Sequence, residues 1–233
     1  MKYSSPNQEL FEYYDERAPE YEDFYRGKFP AKVPDPAIYK NDTKSIQKLL
    51  PGNIRGKCID IACGTGFWLP IYKKNCTIIT LIDQSEGMLA ECTKKIHKLG
   101  IEDKTEIIRD DIFNHIFKEN EYDSAVIGFF ISHFNETGLT NFFNILKTLL
   151  KPGGKFTIID SIWNEVIARI RPNKAGIIKR SLKDGREFEI YKRYFEKQDL
   201  QDLAENFNIN LEVIYLGKVF FLAIGNFINK AGA

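Results

Sequence analysis

Short apolar runs alternate with amphipathic helical patterns between residues 57 and 160, and this alternation constrains the fold more than any other feature. The predicted strands are 57–61, 77–82, 105–109, 123–128 and 155–160, the predicted helices are 86–98 and 135–150, and a turn followed by a helix covers 64–74. Asn135 should cap the last helix and residues 151–154 should end it. Because helical crossovers join parallel strands, we expect a doubly wound, mostly parallel, Rossmann-like α/β sheet with its ligand crevice at the carboxyl ends of the strands.

The end of the chain predicts antiparallel structure. Two runs, Gly176–Leu182 and Arg186–Tyr194, flank the turn-forming sequence Lys-Asp-Gly and indicate a hairpin. After a helix at 197–206, two further strands at 209–216 and 218–225 follow each other closely. We therefore expect an antiparallel C-terminal hairpin to complete a sheet of seven strands.

An aromatic stripe at helical spacing predicts a helix across residues 8–25. Its members are Leu10, Tyr13, Tyr14, Arg17, Tyr21, Phe24 and Tyr25. Pro30, Pro34 and Pro36 then exclude regular helix, before a predicted helix at 41–50. At 233 residues the chain can form one compact unit, so we expect a single domain over 1–233, with residues 1–40 as an N-terminal cap and residues 162–194 as an inserted hairpin lid on the substrate side.

Charge and composition exclude several classes of protein. The 33 basic and 32 acidic residues give the whole chain no electrostatic attraction to nucleic acid. No apolar run approaches the ~20 residues of a membrane span, and acids and tyrosines stand where a signal peptide would be apolar. The four cysteines lack metal-site spacing. We expect a cytoplasmic protein without metal, a monomer or homodimer, whose partner is a small molecule.

The first predicted strand ends in an acid and runs into a loop of small residues. Asp60 is followed by Ala62, Gly64 and Gly66, which let a ligand lie against backbone amides. A dinucleotide-binding loop needs a third small residue. The two positions where it could fall are occupied by Phe67 and Leu69, which are both bulky. The Asp60 charge would repel a pyrophosphate but tolerate an ammonium or sulfonium. The pattern favours an amino-acid-bearing nucleoside.

Acidic residues also stand at the ends of the second and third predicted strands. Asp83 lies 23 residues beyond Asp60, near the ~20-residue offset at which an acid reaches ribose hydroxyls. Asp111 and Ile112 end the third strand and offer a carboxylate and an apolar surface to a base. Any one of these acids could equally be a solvated residue at the end of a strand. Three acids at the ends of consecutive strands favour a binding site.

With these residues the sequence resembles the class I S-adenosylmethionine-dependent methyltransferases of the small-molecule type, from about Tyr14 to the last strand. The first family motif, acid-x-Gly-x-Gly-x-Gly, is matched by Asp60, Gly64 and Gly66, with Ala62 in place of the first glycine. The resemblance implies the same fold, S-adenosylmethionine as cofactor and S-adenosylhomocysteine as product.

The resemblance also implies roles for individual residues. The backbone around Ala62, Cys63 and Gly64 would hold the methionine moiety, Asp83 the ribose, and Asp111 with Ile112 the adenine. The Gly128 carbonyl would face the amino group of the cofactor, and Gln84 and Met88 are further candidate contacts, although Met88 also fits the apolar face of its helix. Near the N-terminus the residues that match the Tyr-x-x-Arg-Ala-x-x-Tyr opening of the family, whose N-terminal helix caps the cofactor, are Tyr14, Arg17, Ala18 and Tyr21.

His133 follows the fourth strand, where the methyl group of the cofactor is expected. A histidine there can remove a proton from the acceptor, and it can equally be a loop residue beside a helix start. The predicted hairpin carries basic residues suited to an anionic substrate, although such charges are more often a solvated face. The candidate substrate contacts are Arg17, Arg193 and Tyr194.

We therefore expect methyl transfer to an oxygen or nitrogen of a small-molecule acceptor. No Asp/Asn-Pro-Pro-Tyr/Phe run follows the fourth strand, which argues against members that methylate exocyclic amines of bases. The absence of a Pro-Cys pair argues against a covalent mechanism at pyrimidine C5. The alternatives are an RNA or tRNA methyltransferase, an NAD-dependent oxidoreductase and a cofactor-binding protein without catalysis.

Overall fold

The structure, a computed structural model, describes residues 8–23, 25–28 and 35–228. Phe24 and two of the three prolines predicted to follow the N-terminal helix lie outside these residues. The strands are β1 (Gly56–Ile61), β2 (Cys76–Asp83), β3 (Thr105–Arg109), β4 (Tyr122–Gly128), β5 (Leu150–Ser161), β6 (Ala175–Ser181), β7 (Glu187–Arg193), β8 (Ile209–Leu216) and β9 (Phe220–Phe227). The α-helices are α1 (Gln8–Arg17), α2 (Ala37–Leu49), α3 (Leu69–Tyr72), α4 (Glu86–Leu99), α5 (Glu136–Leu149), α6 (Glu165–Ala168) and α7 (Lys197–Asn206). Of the described helices, none is long and apolar enough to cross a membrane.

Seven strands form one sheet in the order β3-β2-β1-β4-β5-β9-β8, and β6 pairs with β7 in a separate hairpin. The five strands from β3 to β5 are parallel, whereas β9 is antiparallel to both β5 and β8. This arrangement confirms the predicted doubly wound sheet with an antiparallel C-terminal hairpin. The strand order reverses between β1 and β4, so a crevice opens at the carboxyl ends of these two strands.

Two predicted helices are shorter in the structure than the sequence pattern indicates. At the N-terminus α1 ends at Arg17 and a 3-10 segment follows, because Pro19 removes an N–H donor and disfavours helical backbone before it. Within the predicted turn and helix at 64–74, the turn extends to Trp68, because Gly64 and Gly66 have left-handed φ angles of 55° and 65°. Regular helix begins only at α3, which has a proline in its first turn.

Helix α5 starts and ends as predicted. The Asn135 side chain accepts a hydrogen bond from the Gly138 N–H and caps the helix. The helix ends at Leu149, directly before residues 151–154, which form an irregularity inside β5 rather than a loop. Lys151 precedes Pro152, which favours extended backbone and ends the helix before the Pro-Gly-Gly sequence is reached.

The sheet separates two apolar clusters, and a third, smaller cluster joins α1 to the β6–β7 hairpin. In this third cluster Leu10 and Tyr13 of the helix pack against Leu182 and Ile190 of the hairpin. Polar contacts strengthen the join: the Glu9 carboxylate accepts from the Glu189 N–H at 2.8 Å. The N-terminal helix and the inserted hairpin thus pack on each other beside the carboxyl edge of the sheet.

Candidate active site

A first cavity opens at the carboxyl ends of β1, β2 and β4, with α1 beside it. The loops after these strands contribute Ala62, Gly64, Asp83, Gln84, Ser85, Gly128, Phe129, Phe130 and His133. The N-terminal segment contributes Leu10, Phe11, Tyr14 and Tyr21. The remaining lining residues are Ile82, Met88, Asp110 and Ile112. Two carboxylates face the cavity, and no lysine or arginine of the described ranges does.

Asp83 is the polar centre of this first cavity. One carboxylate oxygen accepts from the Gly64 N–H at 2.8 Å, and the other accepts from the Ser85 N–H at 3.0 Å. The carboxylate therefore ties the glycine loop after β1 to the start of α4. Burial raises the pKa of Asp83, although the two N–H donors oppose the rise. This carboxylate keeps acceptor capacity for the hydroxyl groups of a ligand.

Backbone strain is concentrated at the same edge of the sheet. Ala62 and Phe129 have φ angles of 52° and 56°, in the left-handed region that non-glycine residues rarely adopt. Both residues line the first cavity, one after β1 and the other after β4. Strained backbone persists only where the surroundings hold it, and it clusters at ligand sites.

Asp60 lies under the loop rather than in the lining of the cavity. Its side chain is buried, and its carboxylate accepts a hydrogen bond of 2.6 Å from the Tyr72 hydroxyl. Burial raises the pKa of Asp60 to about 7, against the lowering effect of the Tyr72 hydroxyl, and the neighbouring Asp83 raises it further. The group is therefore poised to change its charge near neutral pH.

This shift predicts a pH dependence of stability that Asp60→Asn should remove. The pKa of Asp60 is about 7 in the folded protein and 3.8 as the reference for the unfolded chain, so the folded state binds the proton more tightly. Stability from this proton is complete below about pH 4 and is lost as the pH rises through about 7. Urea unfolding from about pH 5 to about pH 8 should therefore show a steeper loss of stability for the parent than for the variant. A difference between the two proteins that is constant with pH would contradict this assignment.

His133 and Tyr14 form a hydrogen-bonded pair above the end of β4. The Tyr14 hydroxyl lies 2.9 Å from Nε2 of His133, and Nδ1 of the same ring lies 2.9 Å from the Tyr191 carbonyl. Since a carbonyl only accepts, Nδ1 carries the proton, and in the neutral ring Nε2 accepts from the tyrosine. Burial lowers the pKa of His133 well below 6.5, and the charges of Lys192 and Arg180 lower it further. The ring is thus unprotonated at neutral pH, and its Nε2 lone pair accepts the Tyr14 hydroxyl.

A second cavity of about 190 Å³ adjoins the first. The two share four residues, hereafter the junction: Tyr14, Tyr21, Phe129 and His133. Seven basic side chains of the described residues line the second cavity, against two acidic ones. The basic side chains are Arg17, Lys28, Arg171, Lys179, Arg180, Lys183 and Lys192. The two cavities therefore differ in charge, the first acidic and the second basic.

Lys192 is the most deeply buried of these basic groups. Its ammonium lies 3.3 Å from the Asp160 carboxylate and donates to the Ser132 hydroxyl. Burial lowers its pKa, although Asp160 opposes the shift. Asp160 also accepts from the Ser132 N–H at 3.1 Å. This network fixes the segment that carries His133 onto the end of β5.

Most of the site residues predicted from the sequence line one of the two cavities, and the others lie outside both linings. Ten of them line the first cavity: Tyr14, Tyr21, Ala62, Gly64, Asp83, Gln84, Met88, Ile112, Gly128 and His133. Arg17 lines the second cavity. Neither lining includes Asp60, Cys63, Gly66, Asp111, Arg193 or Tyr194. Asp111 accepts from the Phe113 N–H at 3.0 Å, and Arg193 forms an ion pair of 2.7 Å with Glu136.

Sequence reasoning missed several residues of both cavities. Asp110 faces the first cavity in place of its neighbour Asp111, a choice within an Asp-Asp pair that strand periodicity did not decide. Phe129 and Phe130 belong to the run after β4 that was noted for Gly128 alone. Arg171 follows the short α6 and carries no motif, so no sequence signal pointed to it.

Comparisons with known proteins agree with this geometry. Residues 58–154 match a family model described as a methyltransferase domain. Among curated proteins, the chain is 27% identical over 147 residues to a demethylmenaquinone methyltransferase of Corynebacterium kroppenstedtii, which covers 58% of this chain and 59% of the relative. It is 32% identical over 130 residues to the ubiquinone/menaquinone biosynthesis C-methyltransferase UbiE of Wigglesworthia glossinidia brevipalpis, covering 53% and 46%. The chain thus spans only about half the length of these curated relatives.

Solved structures support the fold over nearly the whole chain. A structure titled DhpI-SAM-HEP complex superposes with a TM-score of 0.77 at 22% identity, covering 97% of this chain and all of the other. The DhpI-SAH complex gives 0.73 at 24% identity, covering 94% and 95%. The PH0226 protein of Pyrococcus horikoshii gives 0.64 at 21% identity, covering 92% and 98%. At these identities the likeness shows a shared fold.

Proposed function

We propose that this member of the class I S-adenosylmethionine-dependent methyltransferase family transfers a methyl group from S-adenosylmethionine to an oxygen or nitrogen of a small-molecule acceptor. The observation that carries the proposal is the pair of adjoining cavities with opposite charge. The first suits a cationic cofactor, the second suits an acceptor, and the junction with Tyr14 and His133 lies between them.

The residues of the first cavity fit the three parts of the cofactor. Ile82, Met88 and Ile112 offer an apolar surface to the base. Asp83 offers carboxylate oxygens to ribose hydroxyls, and the strained backbone at Ala62 with the Gly128 carbonyl suits the amino acid group. Because Asp83 and Asp110 face the cavity without a basic neighbour in its described lining, the site also disfavours the pyrophosphate of NAD.

The chemistry asks mainly for alignment of donor and acceptor. S-adenosylmethionine supplies a methyl group on a sulfur that is already activated as a leaving group. When bound in the first cavity, it would give this methyl group to the acceptor atom, and the electron pair of the carbon–sulfur bond would stay with sulfur. The Tyr14 hydroxyl oxygen takes the proton that the acceptor gives up, while this hydroxyl passes its own proton to Nε2 of His133 through their hydrogen bond. The aromatic rings at the junction exclude water from the line of transfer.

The second cavity favours a small acceptor over the quinones named for the curated relatives. Its volume of about 190 Å³ lies below the ~300–1,000 Å³ of pockets for drug-sized ligands. Its basic lining also suits a polar molecule better than an apolar ring with a long tail. The balanced charge of the whole chain argues against an RNA acceptor, which would need an extended basic surface.

Calorimetric titration with S-adenosylmethionine, S-adenosylhomocysteine and NAD tests the proposal most directly. We expect the first two to bind and NAD to give no heat above dilution. Release of S-adenosylhomocysteine in the presence of candidate acceptors then reports turnover. Binding of NAD alone would overturn the assignment of the cofactor. Binding of the cofactor with no turnover on any acceptor would favour a binding protein without catalysis.

A further inference from the structure

The basic groups of the second cavity are not all neutralised by the protein. Lys183 pairs with Asp23 at 2.5 Å, and Lys192 has Asp160. For Arg171 and Arg180, in contrast, no carboxylate of the described residues lies within ion-pair distance. Both guanidinium groups line the same cavity from different elements, one after α6 and the other on β6.

Arg171 shows an unused donor directly. Its Nε is buried, and among the described residues nothing accepts a hydrogen bond from it. A buried N–H of a charged group that lacks an acceptor costs stability, so such a group indicates a missing oxygen ligand. The guanidinium plane matches the paired oxygens of a phosphate or carboxylate.

The basic groups of the second cavity also act on Tyr194, which lies outside the cavity lining. Burial raises the pKa of this phenol, yet the charges of Arg180, Arg171 and Lys192, with a hydrogen bond from Arg171, bring its pKa below the usual 10.0. Several cationic side chains around one cavity favour a ligand of more than one negative charge.

We propose that the second cavity binds a phosphorus oxyanion, the phosphate or phosphonate group of the methyl acceptor, through the guanidinium groups of Arg171 and Arg180. This assignment rests on the proposed function, because it makes the bound group a part of the acceptor. Two guanidinium groups without protein carboxylates match the two charges of such a dianion, whereas a carboxylate would neutralise only one. Tyr14 and His133 line the same cavity, so an acceptor held by the two arginines would have its reacting atom within reach of the junction.

The test titrates inorganic phosphate, methylphosphonate and acetate into the full-length protein near pH 8, with and without saturating S-adenosylhomocysteine. We expect both phosphorus compounds to bind at least about tenfold more tightly than acetate. Their three or more oxygens can accept bidentate hydrogen bonds from both guanidinium groups, whereas the two oxygens of acetate serve one guanidinium group. Arg180→Gln and, separately, Arg171→Gln should each weaken phosphate binding about tenfold or more while leaving S-adenosylhomocysteine binding unchanged.

Arg169→Gln is the matched control. Arg169 lies on the same insertion, is highly exposed and is 4.0 Å from Glu165, outside both cavity linings. Its loss should leave phosphate affinity unchanged, whereas an effect equal to that of Arg180→Gln would reduce the result to nonspecific charge and overturn the assignment. Unchanged cofactor affinity and melting temperature show that the variants fold.

The outcomes separate the two proposals. Phosphate binding no tighter than acetate binding, or parent-like phosphate affinity in both arginine variants, overturns the phosphorus oxyanion site while the cofactor titration still supports the methyltransferase. Tighter binding of acetate identifies a carboxylate site and also overturns it. Failure to bind S-adenosylhomocysteine overturns the proposed function instead, and the titration without that ligand still decides whether the second cavity binds phosphate.

Discussion

Replacing Asp83 with asparagine is expected to weaken binding of S-adenosylhomocysteine by about tenfold to a hundredfold, as hydrogen bonds to a charged group are worth about 1.5–3 kcal/mol. Both oxygens of Asp83 accept from backbone N–H groups, at Gly64 and Ser85. An asparagine has one oxygen, so its amide NH₂ would face one of these donors. The glycine loop would lose its link to α4, and the ribose hydroxyls would lose a charged acceptor.

Calorimetry with the parent and the variant measures this effect. Asp103→Asn is the matched control, because it makes the same change at an exposed acid in the turn before β3, outside both cavity linings. The control should bind like the parent. If Asp83→Asn binds within about twofold of the parent, the carboxylate does not hold the ligand and the first cavity needs a different occupant.

Replacing His133 with alanine is expected to lower kcat by about 10²–10⁴, the usual contribution of a positioned general base. The variant removes the Nε2 lone pair that faces the junction. It leaves Asp83 and the glycine loop intact, so affinity for S-adenosylhomocysteine should change much less than kcat. Tyr14→Phe removes the hydroxyl that passes the proton to Nε2 and should lower kcat as well, while cofactor affinity changes less.

The pH profile gives this prediction a second readout. The groups around His133 are Tyr14, the Tyr191 carbonyl, Lys192 and Arg180, and its pKa lies well below 6.5. The imidazole therefore stays unprotonated from about pH 6.5 upwards, and the rate should not fall with acidification over that range on its account. Full turnover by His133→Ala would show that the acceptor atom carries no proton to remove, as in an anionic oxygen.

The sheet and its ligand edge could be predicted because they follow from patterns along the chain. Apolar strands alternating with helices determine the parallel order, and an acid at a strand end is already at the crevice, as Asp83 illustrates. Asp110 and Asp111 show where this reasoning stops, because neighbouring residues at a strand end leave in different directions and the turn geometry decides between them. Asp60 belongs to the same motif, yet its side chain turns to Tyr72, a partner twelve positions away that no strand pattern indicates.

The lining of the second cavity could not be predicted, because it depends on how segments far apart in sequence meet. The basic residues of the hairpin suit an anionic substrate, but the pattern did not decide which of them face a cavity: Arg171 lies in an irregular stretch, and Arg180 could as readily have faced solvent. On the neighbouring strand Arg193, a candidate substrate contact, pairs with Glu136 instead. The assigned roles of the individual site residues stay predictions that the variants above can test.

The packing of α1 on the β6–β7 hairpin separates the molecule into two parts that can change independently in evolution. The ends of β1, β2 and β4 form most of the first cavity, whereas α1 and the hairpin supply much of the second. Substitutions in these two mutually packed segments can therefore change which molecule is accepted without disturbing the loops that close the sheet. A lineage with this architecture can acquire new acceptors by altering only these segments, and both must change together because each forms part of the other's core.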